Sequence, residues 1–339
     1  MTCDMAEQEG SPLEESSGYS KYGITDLPKT SVATAWGQTK TCAGLSVKEW
    51  VFIVVSVVNI LVAIGLTLVR FIDVIIHDPA KPDFTFALLL LVNAAFCLFY
   101  VGHGVLRERV YELYVFIIAI LVVLVYCIVE YAFLNVEGRS TLKLVRLILA
   151  CVLAPPNIFL AWSVAQHFGY LQFRIVGASE YLQHLYQQAS IFSCLLKFDV
   201  QVTTSFVILV LEEGTDLNLL EQITIGVGIP YALLWNIMGW FVLRRESKVG
   251  AWVFAFLGIV KPAYYIFKLV KYVTNIMSSH SMSPTLCDLT VCHQHYVFSQ
   301  YVTNIMCCHS MLALLVWLMI MAELIVVYRN FGQGLKERG

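Results

Sequence analysis

The sequence predicts an all-α protein: a polytopic transmembrane helix bundle of about eight spans, with both termini in the cytoplasm. Three observations carry this reading. Of 339 residues, 58% are hydrophobic and only 14% charged, with a mean hydropathy of +0.73, whereas a soluble domain carries nearer a quarter charged residues. Eight apolar runs each approach the roughly 20 residues that a helix needs to cross a bilayer. The loops between those runs alternate in charge along the chain, as the positive-inside rule demands.

Residues 1–49 are polar, rich in Glu, Ser, Thr and Gly, and lack the apolar core of a signal peptide. They read as a disordered cytoplasmic tail. The apolar runs follow at about residues 50–69, 84–106, 113–133, 144–164, 191–211, 223–243, 251–271 and 311–328, so the bundle occupies 50–328 and a second cytoplasmic tail 329–339. Arg107 and Arg109, Arg174, and Arg244, Arg245 and Lys248 fall in one set of loops. Lys40 and Lys48 precede the first run, and Arg329, Lys336 and Arg338 follow the last. The opposite set includes a loop that carries Glu212, Glu213, Asp216 and Glu221 and no basic residue. Eight spans keep the loops of the first set on one side, and seven would move one across.

A net charge of -2 leaves no basic surface for nucleic acid. Of the ten cysteines, Cys97, Cys127, Cys151 and Cys194 lie inside apolar runs, where they act as small buried hydrophobes rather than a disulfide framework.

Two stretches break the simple alternation of span and loop. Segment 166–188 is too polar to span. Its apolar residues Phe173, Val176, Tyr181, Leu182 and Leu185 recur at near-helical spacing, which fits either an interfacial helix or a cytoplasmic hairpin packed on protein. Segment 272–310 reads as a luminal loop that carries a duplication: YVTNIMSSHSM at 272–282 returns as YVTNIMCCHSM at 301–311. A solenoid needs at least three copies, so this is a local tandem duplication. Between the copies, Cys287, Cys292, His293 and His295 form C-x4-C-H-x-H, a spacing that departs from zinc-binding pairs. No metal site and no cofactor are expected, while a Cys287–Cys292 disulfide is open on the luminal side.

The fifth run contains Lys197, Asp199 and Gln201. Ionisable groups at such depth mark a functional or pairing site. Residues two apart on a helix point about 200° away from each other, so Lys197 and Asp199 have different surroundings. Lys197 is near enough to the cytoplasmic end for its stem to reach the headgroups. Asp199 is deeper and shorter, and needs a partner, a proton or water. In the seventh run Lys261 stands beside Pro262, which kinks helices, and Lys268 and Tyr272 fall where an outer interface belt would lie. In the eighth, Glu323 sits about five residues from the cytoplasmic end. By axial rise Asp199, Lys261 and Glu323 share a depth. They form one buried cluster joining spans five, seven and eight, or three separately satisfied groups. Further polar or helix-breaking residues within the spans are Asn59, Asn93, His103, Arg146, Pro155-Pro156-Asn157, Pro230 and Asn236.

Four stretches occur together in the C-terminal half: LLKFD at 195–199, RRE at 244–246, AYYIFKLVK at 263–271 and NFGQGLK at 330–336. In this order, and at helix ends, they resemble an uncharacterised fungal family of Golgi apparatus multi-pass membrane proteins. The resemblance covers about residues 195–336. It implies an endomembrane address, the Golgi rather than the plasma membrane, with Lys197, Asp199 and the lysines of the seventh span as family-typical positions. The duplication departs from the family pattern, and the resemblance brings no known chemistry.

The functional expectation is a non-enzymatic membrane protein whose surroundings are the lipid bilayer. The spans hold too few histidines and carboxylates for a metal centre and no nucleophile elbow. A cytoplasmic N-terminus, with neither a DRY nor an NPxxY motif, argues against a rhodopsin-like receptor. The alternative is a secondary transporter or channel in which Lys197, Asp199, Lys261 and Glu323 handle a small molecule or an ion. Against it, the sequences of the two halves display no internal repeat of the kind many transporters have.

Overall fold

A computed structural model of the chain describes residues 31–34, 37–41, 44–77, 83–133, 141–169, 179–210, 219–281 and 289–332. The helices are α1 (Val47–His77), α2 (Asp83–Leu106), α3 (Val110–Phe133), α4 (Thr141–Ala165), α5 (Glu180–Val210), α6 (Leu219–Arg245), α7 (Lys248–Gly258), α8 (Val260–Ser281) and α9 (Leu289–Arg329). Eight stretches are long and apolar enough to cross a membrane, with α7 and α8 together supplying the seventh, Lys248–Lys271. The protein is an all-α bundle of eight spans. The seventh breaks where the sequence places Pro262. Proline has no N–H to offer the carbonyl of Gly258, and the Ile259 N–H tightens onto Phe256 O at 3.3 Å instead.

Three departures from the sequence reading concern the flanks of spans. Before the first span, β1 (Ser31–Thr34) and β2 (Gly37–Lys40) pair antiparallel in the register Ser31↔Lys40, so the described part of the N-terminal tail is ordered. Residues 180–188 are the opening turns of α5, continuous with the fifth span rather than a separate interfacial helix. The described part of the first copy, residues 272–281, ends α8, and the second copy lies inside the 41-residue α9. Neither copy contains Gly or Pro, so nothing in them stops a helix. Pro284 and Cys287 fall outside the described residues, as do the side chains of Cys292, His293 and His295.

The spans form two four-helix rings. In the first half α1 packs on α2 and α4, and α3 packs on the same two. In the second, α5 packs on α6 and α9, α6 on α7, and α8 on α9. Each half therefore closes in the same order. Each also has its own apolar core, one built around Phe52, Tyr100, Phe116 and Ala161, the other around Phe192, Phe206, Trp235, Phe254 and Val316. The halves meet where α5 lies against α2 and α3, and Cys194 of α5 belongs to the first core. Cys97, Cys127 and Cys194 are buried as expected of small hydrophobes, whereas Cys151 is exposed on the outer face.

The two halves repeat a joint whose trace in the sequence is two dipeptides, Arg-Glu at 107–108 and 245–246 and Phe-Gly at 168–169 and 331–332. After the second span of each half a glutamate adopts left-handed backbone, Glu108 at φ 51° and Glu246 at φ 49°. Such a conformation costs a non-glycine residue roughly 1–3 kcal/mol. After the fourth span of each half stands a glycine at positive φ, Gly169 at 150° and Gly332 at 86°. Its N–H donates to that glutamate: Gly169 N–H to Glu108 Oε2 at 3.3 Å, and Gly332 N–H to Glu246 Oε2 at 2.8 Å. At the first joint the Arg109 N–H also reaches Gly104 O at 2.8 Å, and the Glu108 N–H reaches Val105 O at 3.3 Å. These two bonds cap α2 as a Schellman motif, with glutamate in the usual place of glycine.

Candidate functional site

The deepest polar site ties three spans of the second half together. Asp199 of α5 and Lys261 of α8 form an ion pair through Asp199 Oδ2, with side chains only 2% and 4% exposed. Asn236 of α6 donates to the same oxygen at 2.9 Å. The Lys261 ammonium lies 3.4 Å from Thr203 Oγ1 and 4.3 Å above the Trp235 ring. Trp235 is in turn fixed by its indole N–H to Phe254 O at 3.1 Å and by stacking on Phe254 at 4.3 Å. A buried charge is tolerated when a counter-charge and further hydrogen bonds satisfy it, and this pair has both. The break beside Pro262 leaves Lys261 in the first turn of α8, facing α5.

A second site lies at the end of the bundle that carries Arg107, Arg109, Arg244 and Arg245. Glu112, in the first turn of α3, is 1% exposed and serves two partners. Its Oε2 meets His103 Nδ1 at 2.6 Å, and its Oε1 pairs with Lys197. The Lys197 ammonium also lies 3.4 Å from His103 Nδ1 and 5.7 Å from the Phe99 ring. Gly104 makes room for this arrangement, since a Cβ there would sit 3.4 Å from the Glu112 stem.

Just outside the spans, Lys40 of β2 bridges Glu49 at 2.8 Å and Glu108 at 2.6 Å. Burial disfavours its ammonium, but the hydrogen bonds and charge of Glu108 and Glu49 outweigh that and hold the group above the ordinary lysine value. Glu49 also closes a reciprocal cap on α1. The Ser46 N–H donates to Glu49 Oε2 at 2.7 Å, and the Glu49 N–H donates to Ser46 Oγ at 3.3 Å. The left-handed strain at Glu108 is thereby offset by three interactions: the Schellman bonds, Lys40 and Gly169.

Of the four residues singled out in the sequence, Asp199 and Lys261 meet. Lys197 is held by Glu112, and its side chain is 24% exposed, so it is an ion-pair partner rather than a headgroup snorkeller. Glu323 joins neither site, and its Oε2 is buried without a hydrogen-bond partner among the described residues. Lys268 is 1% exposed and so lies inside the bundle rather than in an interface belt. Gln201 of α5 donates to Asn93 Oδ1 of α2 at 2.7 Å. The run KFDVQ thus reads outward on alternate residues: Lys197 and Gln201 engage the first half, and Asp199 engages the second. The 200° step between i and i+2 makes this two-sided use possible. Glu112 and Lys40 were not legible as site residues. Each stands at the edge of an apolar run, where a single charge looks like an ordinary helix flank.

The match of a family model to residues 36–166 and 176–326 decides the family. The chain belongs to the family described as Domain of unknown function (DUF7789). The two matched stretches coincide with the two four-span halves of the DUF7789 chain, and the break between them falls between α4 and α5. No curated protein and no solved structure matches this sequence.

Proposed function

We propose that the chain is a non-enzymatic integral membrane protein of the endomembrane system, in which the buried ion pairs hold helices together instead of handling a substrate. The observation that carries this reading is the closure of the Asp199–Lys261 pair. Both charges are almost fully buried, and Asn236, Thr203 and the Trp235 ring contact the pair. Polar side chains satisfied in this way between spans act as interhelical glue. The Golgi address rests on the four C-terminal stretches quoted above. It is tested by imaging a tagged chain against Golgi and plasma-membrane markers, and a surface-biotinylated majority would remove it. The structural role is tested by a double-mutant cycle on Asp199 and Lys261. Recovery of stability in the double variant supports it, and full additivity of the two losses counts against it.

A second reading, secondary transport, is favoured by the repeated helix order and joint of the two halves. Transporters built from parallel repeats place their sites near the repeat interface, and the Asn93–Gln201 and Glu112–Lys197–His103 contacts lie there. Its test is proton- or cation-driven flux in proteoliposomes. Flux lost in Glu112→Gln with unchanged folding would favour transport over the structural reading.

A further inference from the structure

The joints after the second span of each half bring basic side chains together from both halves. Arg107 and Arg109 flank Glu108, and Arg244 and Arg245 precede Glu246. The Arg109 guanidinium lies 5.1 Å from the Tyr186 ring of α5. Beside it the Gln187 side chain donates to the Tyr111 hydroxyl. The first joint is therefore seated on the opening turns of α5, the helix along which the halves meet. Arg107 is half-buried and lies within electrostatic reach of Arg109, Tyr186 and Arg244. Burial, and then the charge of Arg109, push its guanidinium below the ordinary arginine value; Glu112 and Tyr186 oppose them, and Arg244 adds to them.

The positive-inside rule accounts for arginines in these loops. It does not account for three of them converging from two halves, because like charges repel. The carboxylates in the same region also answer other cations. Glu108 accepts from Lys40 and from the Gly169 N–H, and Glu112 serves Lys197 and His103. Lys40, Arg107, Arg109, Lys197 and Arg244 stand against Glu49, Glu108 and Glu112, so these groups carry an excess of positive charge. An anion among the three arginines relieves their repulsion. Phosphate suits them best, since the guanidinium fork matches two of its oxygens at once. The level of the site points to the source. The Arg244 guanidinium lies 5.3 Å from the Trp240 ring and that of Arg245 lies 4.5 Å from Phe241, and aromatic rings at the end of a span sit at headgroup level. Basic pockets between spans at that level hold phosphorylated headgroups.

We propose that Arg107, Arg109 and Arg244 form a binding site for a phosphate monoester at the junction of the two halves, with a lipid headgroup of the adjoining leaflet as its carrier. A monoester carries close to two negative charges and so answers the excess better than the single charge of a phosphodiester. The site is separate from the Asp199–Lys261 pair and does not depend on how that pair is read.

The full chain in uncharged detergent is titrated with short-chain phosphatidic acid, phosphatidylglycerol or phosphatidylcholine, with and without inorganic phosphate, and bound lipid is counted by native mass spectrometry. Phosphatidic acid should bind saturably, one molecule per chain, and more tightly than phosphatidylglycerol, with phosphatidylcholine weakest. Arg107→Gln and Arg109→Gln should each weaken it on the order of tenfold, the share of one charge-assisted hydrogen bond. Lys48→Gln removes a cation from the same end of the bundle, beside His167 of the α1–α4 side, and should leave binding unchanged. Inorganic phosphate that fails to displace the lipid at equal concentration supports the headgroup as source; displacement keeps the monoester chemistry and makes a soluble phosphate the source. Three outcomes overturn the proposal: phosphatidylglycerol binding as tightly as phosphatidic acid, Lys48→Gln weakening binding as much as Arg107→Gln, or no saturable binding. Should Arg107→Gln not fold, Arg109→Gln and the comparison of the two anionic lipids decide the matter.

Discussion

Removing the charge of Asp199 or of Lys261 singly should destabilise the protein far more than removing both. In Lys261→Met, Asp199 stays buried with Asn236 as its remaining donor. Stranding one member of a buried pair costs about 3–5 kcal/mol. In Asp199→Asn, the ammonium of Lys261 keeps the Trp235 ring at 4.3 Å and Thr203 at 3.4 Å. A desolvated cation–π contact is worth up to about 2 kcal/mol, so this variant should fall at the lower end of that range. Asp199→Asn/Lys261→Met removes both charges, and replacing a buried pair as a unit is often close to neutral. Its loss should therefore be smaller than that of either single variant. At about 2 °C per kcal/mol for a large domain, the singles should unfold some 6–10 °C below the parent in detergent, and the double within a few degrees of it. Thermal unfolding followed by a thiol-reactive dye measures all four proteins. A double variant whose loss equals the sum of the singles would refute the argument, and so would singles that melt like the parent.

Three further outcomes follow from the geometry. Glu112→Gln leaves Lys197 and His103 without their shared carboxylate, and should cost about 2 kcal/mol given the partial exposure of Lys197; adding Lys197→Met should restore part of the loss in the same melt. Gly239→Ala would place a Cβ 2.6 Å from Phe254 Cε2 and 3.0 Å from Leu196 Cδ2. Phe254 is pinned by stacking on Trp235, so overpacking should cost about 1–3 kcal/mol, whereas Gly65→Ala meets nothing within 4 Å and should gain about 0.5–1 kcal/mol as a helix-interior substitution. Equal melting points for the two alanine variants would refute this. Because the folded-state value of Lys40 is raised, its bridge to Glu49 and Glu108 contributes fully below the ordinary lysine value of about 10.5 and is lost as pH climbs through the folded value. The distance between spin labels at Thr39→Cys and Gln166→Cys should widen only above that pH, and Lys40→Met should remove the pH dependence.

Most of the architecture was legible because a bilayer-spanning helix leaves a long, coarse signal. Eight apolar runs became eight spans, and the Lys261-Pro262 pair located the break in the seventh. What escaped depends on partners distant in sequence. Lys197 reads as a snorkeller until Glu112, 85 residues earlier, is seen beside it. Glu323 shares a depth with Asp199 by axial rise, but depth along the membrane says nothing about which way a helix faces. The repeat of the two halves was invisible because it lives in backbone geometry. Glu108 and Glu246 share a left-handed φ and a glycine partner, while most of the residues around them differ. Residues four before and after each glutamate exchange roles, Gly104 making room for Glu112 in one half and Gly250 for Val242 in the other. The identities that do survive, Arg before each glutamate (Arg107, Arg245) and Phe before each glycine (Phe168, Phe331), are single dipeptides too short for a sequence comparison to find.

The two-sided helix α5 has a consequence in time. When it enters the membrane during synthesis, the first ring is already complete, so Lys197 and Gln201 find Glu112 and Asn93 waiting. Asp199 does not. Its cation lies 62 residues further along the chain, which at roughly 5–20 residues per second is several seconds of translation. For that interval a carboxylate deep in a span lacks its cation, and for the first 37 residues of it the Asn236 amide as well. The nascent chain must keep α5 beside the insertion machinery, or Asp199 protonated, until α8 arrives. Lys261 would then be the residue that releases the second half into the bilayer.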